Sequence, residues 1–150
     1  MKWRSQKGAT AVEFAIILPI LILLIFGIIE FGFLLYDKAI ITNASREGAR
    51  VGIVYGDPRP TDTDIQDAVM NYVKDPNAPD DPTKDILITF GSDTITTGDI
   101  IITPAYPRDG LPTGTDLSVT VNYRYDFLLL PGFISGLVGD ISAQTVMKME

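Results

Sequence analysis

Glu13 is the first residue whose chemistry needs an explanation, because it places a carboxylate at the front of a long apolar run. A basic leader containing Lys2, Arg4 and Lys7 precedes it and carries no acidic residue. An unpaired charge deep in a bilayer costs about 3 kcal/mol on insertion scales, so Glu13 would need a positive partner there. The alternative is that its side chain reaches back to the inner lipid headgroups.

Residue types that commonly carry catalysis are scarce in the rest of the chain. Its 150 residues include no histidine, the commonest general base and metal ligand near neutral pH, and no cysteine. Two acidic runs could suggest calcium, but they lack EF-hand spacing and its terminal glutamate, so solvated turns are the favoured interpretation. These runs are Asp62, Asp64 and Asp67, and Asp80 and Asp81. With no phosphate loop, nucleophile motif or acid–base pair, we expect neither an enzyme nor a cofactor.

Charge is unevenly distributed along the chain. The net charge is −7, yet residues 57–150 alone hold fifteen acidic and six basic residues, a net charge of −9. Phosphate-binding surfaces need clustered lysine and arginine, so we expect no nucleic-acid partner.

The apolar run indicates a membrane helix. Residues 14–29 are uncharged and span roughly 24 Å as a helix, whereas residues 14–36 would cross the roughly 30 Å hydrocarbon core. Glu30 then needs a partner or a place near the outer interface. Because basic flanks stay cytoplasmic, we expect a single pass through the inner membrane with the N-terminus inside and the acidic part outside.

Two other interpretations of this run are weaker. A buried helix of a soluble protein is disfavoured because a chain of this length could hardly cover the run on all faces. A secretory signal would need a small-x-small cleavage site after the run, and EFGFLLYDKAIITNASREGAR offers no Ala-x-Ala.

The helix is predicted to continue well past the membrane, over residues 9–56 after a leader of residues 1–8. Pro19 removes one helical hydrogen bond and should weaken or bend the helix there. Ala44, Gly48, Gly52 and Gly56 fall four residues apart and form a strip without bulk, which allows another backbone to approach closely. For Gly52 and Gly56, fraying of the helix end is an equally good explanation.

Residues 57–150 are predicted to form an extracytoplasmic α+β head. Thr63 and Gln66 fit a capping box for one short helix of about ten residues. Strands are predicted at 86–90, 99–103, 117–127 and 141–149, and the third alternates apolar and polar residues. Short connections favour an antiparallel sheet, whose apolar face the outer part of the long helix would cover. The segment 128–139 either closes the core or forms a hydrophobic contact surface.

Several features of the N-terminal third occur together. Gly8 is followed five residues later by Glu13 and then Phe14, Pro19 interrupts the apolar run, and a polar cluster lies further on. That cluster comprises Asn43, Arg46, Glu47, Gly48, Ala49 and Arg50. The segment resembles the TadE-like pseudopilin family of tight-adherence (Tad) pilus and secretion systems, and its start resembles a class III prepilin leader.

The resemblance implies a type IV pilin-like fold and cleavage by a prepilin peptidase between Gly8 and Ala9. Family members often vary in their heads, and Ala9 stands where many pilins have phenylalanine. Cleavage would create an amine on Ala9 that could pair with Glu13 of the same or a neighbouring chain. Glu13, Phe14, Pro19 and Glu30 are then the candidate assembly residues.

Two functional hypotheses follow from these residues. The first is a minor structural subunit of a Tad pilus or filament used in surface adhesion, whose partners are other pilin-like subunits or copies of itself, the inner-membrane secretion platform and the bilayer. The second is a membrane-anchored adhesin that is not incorporated into a filament. A membrane-anchored hydrolase has little support.

Overall fold

The chain forms one very long helix, a short helix and a small sheet. The computed structural model describes residues 4–78, 81, 84–90, 94–127 and 139–150. The elements, in chain order, are α1 (Arg4–Gly52), α2 (Asp62–Val73), a 3₁₀ turn (Thr97–Asp99), β1 (Ile100–Thr103), β2 (Asp116–Arg124) and β3 (Asp140–Lys148). This architecture confirms the predicted α+β class. The chain divides into two compact units, Met1–Phe33 and Leu34–Glu150.

The boundaries of α1 differ from the predicted 9–56. The helix already includes Arg4, within the basic leader, continues through Pro19 and ends at Gly52. Glycine is a poor helix former, which is consistent with the helix ending at Gly52. After Gly52 there is one further turn, in which Ile53 N–H donates to the Ala49 carbonyl (3.1 Å). Residues 53–56 therefore belong to the connection to the head.

The sheet is antiparallel throughout, with strand order β1-β2-β3. In β2, Leu117, Val119, Val121 and Tyr123 are buried, while the residues between them are less buried. This alternation is the one predicted from sequence, because successive side chains of a strand point to opposite faces. The sheet therefore has one apolar face and one polar face.

The strand predicted at 86–90 does not form. The backbone N–H groups of this segment donate to three separate parts of the chain. Ile86 N–H donates to the Val73 carbonyl (2.8 Å), and Ile88 N–H donates to the Asp37 carboxylate of α1 (2.9 Å). Phe90 N–H donates to the Asp126 carbonyl (3.3 Å). In a strand, the backbone N–H groups donate to the carbonyls of a neighbouring strand on one side or on both sides. The segment contributes apolar packing to the core, through Leu87, without pairing with a neighbouring strand in the described residues.

The predicted N-cap of α2 is two residues too late. Thr61 caps the helix, since its hydroxyl accepts from Asp64 N–H (3.2 Å) and the Asp64 carboxylate accepts from Thr61 N–H (2.8 Å). A threonine and an aspartate three residues apart can form the reciprocal box in place of Thr63 and Gln66.

The core of the head lies between the sheet and the two helices. Ile41, Ala44 and Ala49 of α1 and Ile65, Val69 and Val73 of α2 are fully buried and belong to one apolar cluster with the inner side chains of the sheet. The Ser45 hydroxyl bridges α1 to the sheet by donating to the Val119 carbonyl (2.8 Å). The part of α1 from Leu34 onward is thus a structural element of the head. The apolar segment at 128–139 lies outside the described residues, except for Gly139.

Candidate functional site

Apart from Glu30, the predicted processing and assembly residues lie on the exposed surface of α1. Gly8, Ala9, Glu13 and Pro19 are all exposed, and Phe14 is 59% exposed. Apart from the Gly27 position, every residue from Gly8 to Ile29 is exposed. The structure thus places a glycine–alanine junction, a carboxylate and a continuous apolar surface along one helix.

This helix is the described element that could cross a membrane, judged by its length and composition. Exposed large apolar side chains recur along it from Val12 to Tyr36. A soluble protein rarely leaves so much contiguous apolar surface in water. The surface therefore agrees with membrane anchoring.

Glu30 differs from Glu13 in its surroundings. It is only 3% exposed and has an interaction partner, whereas Glu13 is exposed. Seventeen positions separate the two carboxylates, which places them about 100° apart around the helix. They do not form one site.

Ala44, Gly48 and Gly52 of the small-residue strip lie against the core of the head, whereas Gly56 lies beyond the end of α1. A Cβ atom at Gly48 would lie 2.5 Å from Val69 Cγ2, and one at Gly52 would lie 2.6 Å from Ile65 Cδ1. Ala44 is fully buried in the same core. Close approach therefore occurs within the chain, between α1 and the elements that it covers.

The polar cluster at 43–50 is divided between two faces of α1. Gly48 and Ala49 face the core, while Asn43, Arg46 and Arg50 are exposed. Arg50 donates two hydrogen bonds to Glu47, one from Nη2 to Oε1 (2.5 Å) and one from Nε to Oε2 (2.9 Å). The hydrogen bond from Arg50 lowers the pKa of Glu47 below its usual value. The cluster thus combines head packing with a charged outer surface.

Asp37 is a buried acid that the sequence analysis missed. It is fully buried, and its Oδ1 accepts from Ile88 N–H (2.9 Å), while its Oδ2 has no hydrogen-bond partner in the described residues. Burial raises the pKa of Asp37 from 3.8 to about 6, the Ile88 bond opposes the rise, and the nearby Asp85 adds to it. The spacing of Asp37 to Ile41, Ala44 and Gly48 on one helical face was the available signal.

The acidic run at 62–67 contributes to the fold, in contrast to the expected solvated turn. The Asp62 carboxylate accepts from Tyr106 N–H (3.1 Å) and pairs with the fully buried Arg108. Arg108 also donates to the Pro60 carbonyl (2.7 Å) and the Pro104 carbonyl (3.0 Å). Among the described residues, no group of three or more acidic side chains could hold a metal ion.

Comparison with protein-family models gives a match over the N-terminal third of the chain. The model described as TadE-like protein matches residues 8–50. Residues 8–50 are TadE-like. This finding confirms the resemblance over a segment that lies within α1 and includes Gly8, Glu13 and the polar cluster. No curated protein and no solved structure matches the chain.

Proposed function

We propose that this chain is a structural subunit, a minor pilin-like protein of a Tad system that takes part in building a filament for surface adhesion. A prepilin peptidase cuts it after Gly8, and α1 anchors it in the inner membrane with the N-terminus inside and the head outside. It assembles there with other pilin-like subunits or further copies of itself, in contact with the secretion platform.

One observation carries this proposal: the Gly8–Ala9 junction, Glu13 and the exposed apolar surface all lie on a single helix that matches the TadE-like model. A plain membrane anchor needs the apolar surface but has no use for an acid near its start. The acid is expensive in lipid unless it is paired, so its position favours a helix that leaves lipid for a protein assembly.

The position of Glu13 relative to the proposed cut supports pairing with the new N-terminus. Removal of residues 1–8 deletes the basic leader and leaves an ammonium group at Ala9, four residues before Glu13. One helical turn spans about 5.4 Å, so the two groups lie about one turn apart in a chain that remains helical. The ammonium of a neighbouring subunit satisfies Glu13 equally well and would link subunits.

The first experiment concerns cleavage. We expect the protein from cells with an active prepilin peptidase to begin at Ala9, as measured by intact mass and N-terminal sequencing. Protein from cells lacking the peptidase should retain the leader of residues 1–8. Gly8→Asp should block the cut, while the matched variant Ala9→Ser should be processed. An unprocessed chain in peptidase-positive cells would rule out the proposed processing.

The second experiment concerns assembly. Glu13→Gln keeps the shape of the side chain and removes its charge, so we expect membrane insertion to persist and incorporation into sheared filaments to fall at least several-fold. Val12→Ala, at the preceding exposed position, is the control and should be incorporated normally. Equal incorporation of Glu13→Gln and the unsubstituted chain would refute the pairing role.

A further inference from the structure

Among the described residues, β1 and β3 are the outer strands of the sheet, and each pairs with a strand on one side. Two hydrogen bonds show which backbone groups of β3 face β2. Tyr125 N–H donates to the Gly139 carbonyl, and Met149 N–H donates to the Thr115 carbonyl, both at 2.9 Å. Both bonds continue the residue pairing between β2 and β3 beyond the ends of the strands. Hydrogen-bonded and non-bonded pairs alternate along an antiparallel ladder. Odd-numbered residues of β3 therefore direct their backbone groups to β2, and even-numbered residues direct theirs outward.

The outer edge of β3 is closed at both ends and open in the middle. Lys38 Nζ donates to the Ser142 carbonyl, and Glu150 N–H donates to the Ile53 carbonyl (3.2 Å). Between them, the outward N–H and carbonyl groups of three residues make no hydrogen bond in the described part of the chain. These residues are Gln144, Val146 and Lys148.

The outer edge of β1 has a shorter set of open groups. The same alternation directs Ile101 and Thr103 toward β2 and leaves Ile100 and Ile102 directed outward. Ile100 N–H is already bonded to the Thr97 carbonyl. Within the described residues, three groups remain without a hydrogen bond: the Ile100 carbonyl and the N–H and carbonyl of Ile102.

The two edges match in a parallel arrangement. Both strands run antiparallel to β2, so β1 of a second copy in the same orientation runs parallel to β3 of the first. In a parallel ladder one residue bonds the two residues that flank its opposite neighbour. With Val146 opposite Ile101 of the second copy, Val146 N–H meets the Ile100 carbonyl, Ile102 N–H meets the Val146 carbonyl, and Lys148 N–H meets the Ile102 carbonyl. All three open groups of β1 are satisfied.

Side chains favour the same register. Among the large apolar side chains of the three strands, all within the described residues, only Ile101 (52%) and Val146 (54%) are exposed. They lie on the polar face of the sheet, at its two opposite edges. The register that satisfies the backbone groups brings these two side chains together across the contact.

We propose that neighbouring copies of this protein join head to tail, with β3 of one copy pairing in parallel with β1 of the next and Val146 against Ile101. The contact extends the sheet without closing, so it builds rows of copies. Pairing of two β3 strands would be antiparallel and would reverse the outer part of α1, which runs alongside β3 from Lys38 to Ile53. This choice rests on the anchoring of all copies in one membrane, as in the proposed function.

The absence of cysteine in the chain allows a direct test by disulfide cross-linking. Full-length Ile101→Cys and Val146→Cys chains carrying tags of different size are produced together, and the membranes are oxidised. We expect a mixed dimer from this pair, no dimer from either variant alone, and a ladder of multimers from the double variant. Thr120→Cys replaces Ile101→Cys in the control pair, because Thr120 lies on the central strand and should give no dimer.

A second pair of substitutions tests the backbone contact. Lys148→Pro is added to the chain that carries Val146→Cys. It removes the N–H that meets the Ile102 carbonyl and should lower the dimer yield several-fold. Lys148→Ala keeps that N–H and should leave the yield unchanged. Since Lys148 N–H points away from β2, neither change breaks the sheet.

The outcomes separate this contact from the proposed function. A Val146→Cys dimer without Ile101→Cys would show two-fold pairing and overturn the proposal, as would an absent mixed dimer or equal yields for the two Lys148 variants. The same membranes are examined for cleavage after Gly8. Cross-linking of an uncleaved chain refutes the processing alone, whereas cleavage without cross-linking refutes only the edge contact.

Discussion

Replacement of Asp37 by asparagine should make the head more stable at neutral pH. Asp37 is buried beneath the segment around Ile88, with one oxygen unpartnered and Asp85 nearby. Asparagine keeps the shape of the side chain and its Oδ1 acceptor for Ile88 N–H. It removes the negative charge that burial disfavours.

The magnitude follows from the pKa of Asp37. Because this pKa is raised in the folded state, from 3.8 to about 6, the folded protein holds the proton more tightly than the unfolded chain. The Asp37 contribution is therefore most favourable below pH 4 and is lost as the pH rises through 6. The difference corresponds to roughly 3 kcal/mol in the free energy of unfolding. A buried amide N–H group without an acceptor costs about 1–3 kcal/mol, so we expect a net gain of up to about 2 kcal/mol at pH 7.5.

The measurement is urea unfolding of the full chain in nonionic detergent micelles, at pH 4.5 and pH 7.5. Near-ultraviolet circular dichroism reports on the head through the buried Tyr123 and Tyr125. Asp37→Asn should gain stability at pH 7.5 relative to pH 4.5, whereas Asp67→Asn, at an exposed position of α2, should not. A variant that is less stable at pH 7.5, or equally altered at both pH values, would contradict the electrostatic argument.

Three further predictions concern the packing of the head, each measured by the same unfolding experiment. Gly48→Leu should destabilise the head by about 1–3 kcal/mol through overpacking against α2. Gly32→Leu should not, because a Cβ added at Gly32 would have no packing neighbour within 4 Å. Thr61→Ala should cost about 1 kcal/mol through loss of the cap, and an unchanged stability would show that the capping box contributes nothing. Arg108→Met should cost about 2 kcal/mol or more because three carbonyl and carboxylate partners lose their donor, while Arg124→Met, at an exposed side chain, should have little effect.

The sequence was sufficient to predict the elements whose patterns repeat over many residues. The long apolar run within α1 forms helix, and the strict alternation of β2 forms a strand, as their patterns predicted. Residues 86–90 look equally apolar, but their donors meet groups that lie far away in sequence, including Asp37, 51 positions before Ile88. Local periodicity contains no information about such partners, so the strand was predicted wrongly.

The candidate site shows the same division between local and distant information. Gly8 and Glu13 could be selected because their spacing lies within one segment. Asp37 and the Asp62–Arg108 pair could not, since their importance depends on burial and on contacts across the head. The Thr61 cap was a narrower error, because two possible capping boxes overlap and only the backbone geometry distinguishes them.

The TadE-like match also bears on the head, although it covers only α1. Within the matched residues 8–50, Ser45 donates to the Val119 carbonyl, and Gly48 leaves room for Val69 and Val119 of the head. These small residues have no role in a membrane span, since they face a core made by the remainder of the chain. The matched segment therefore specifies two things at once, an apolar helix with an acid near its start and a helical face shaped to receive a sheet. A head that replaced this one could vary in its loops and strand edges, but it would have to present a similarly close apolar surface to the small-residue face of α1.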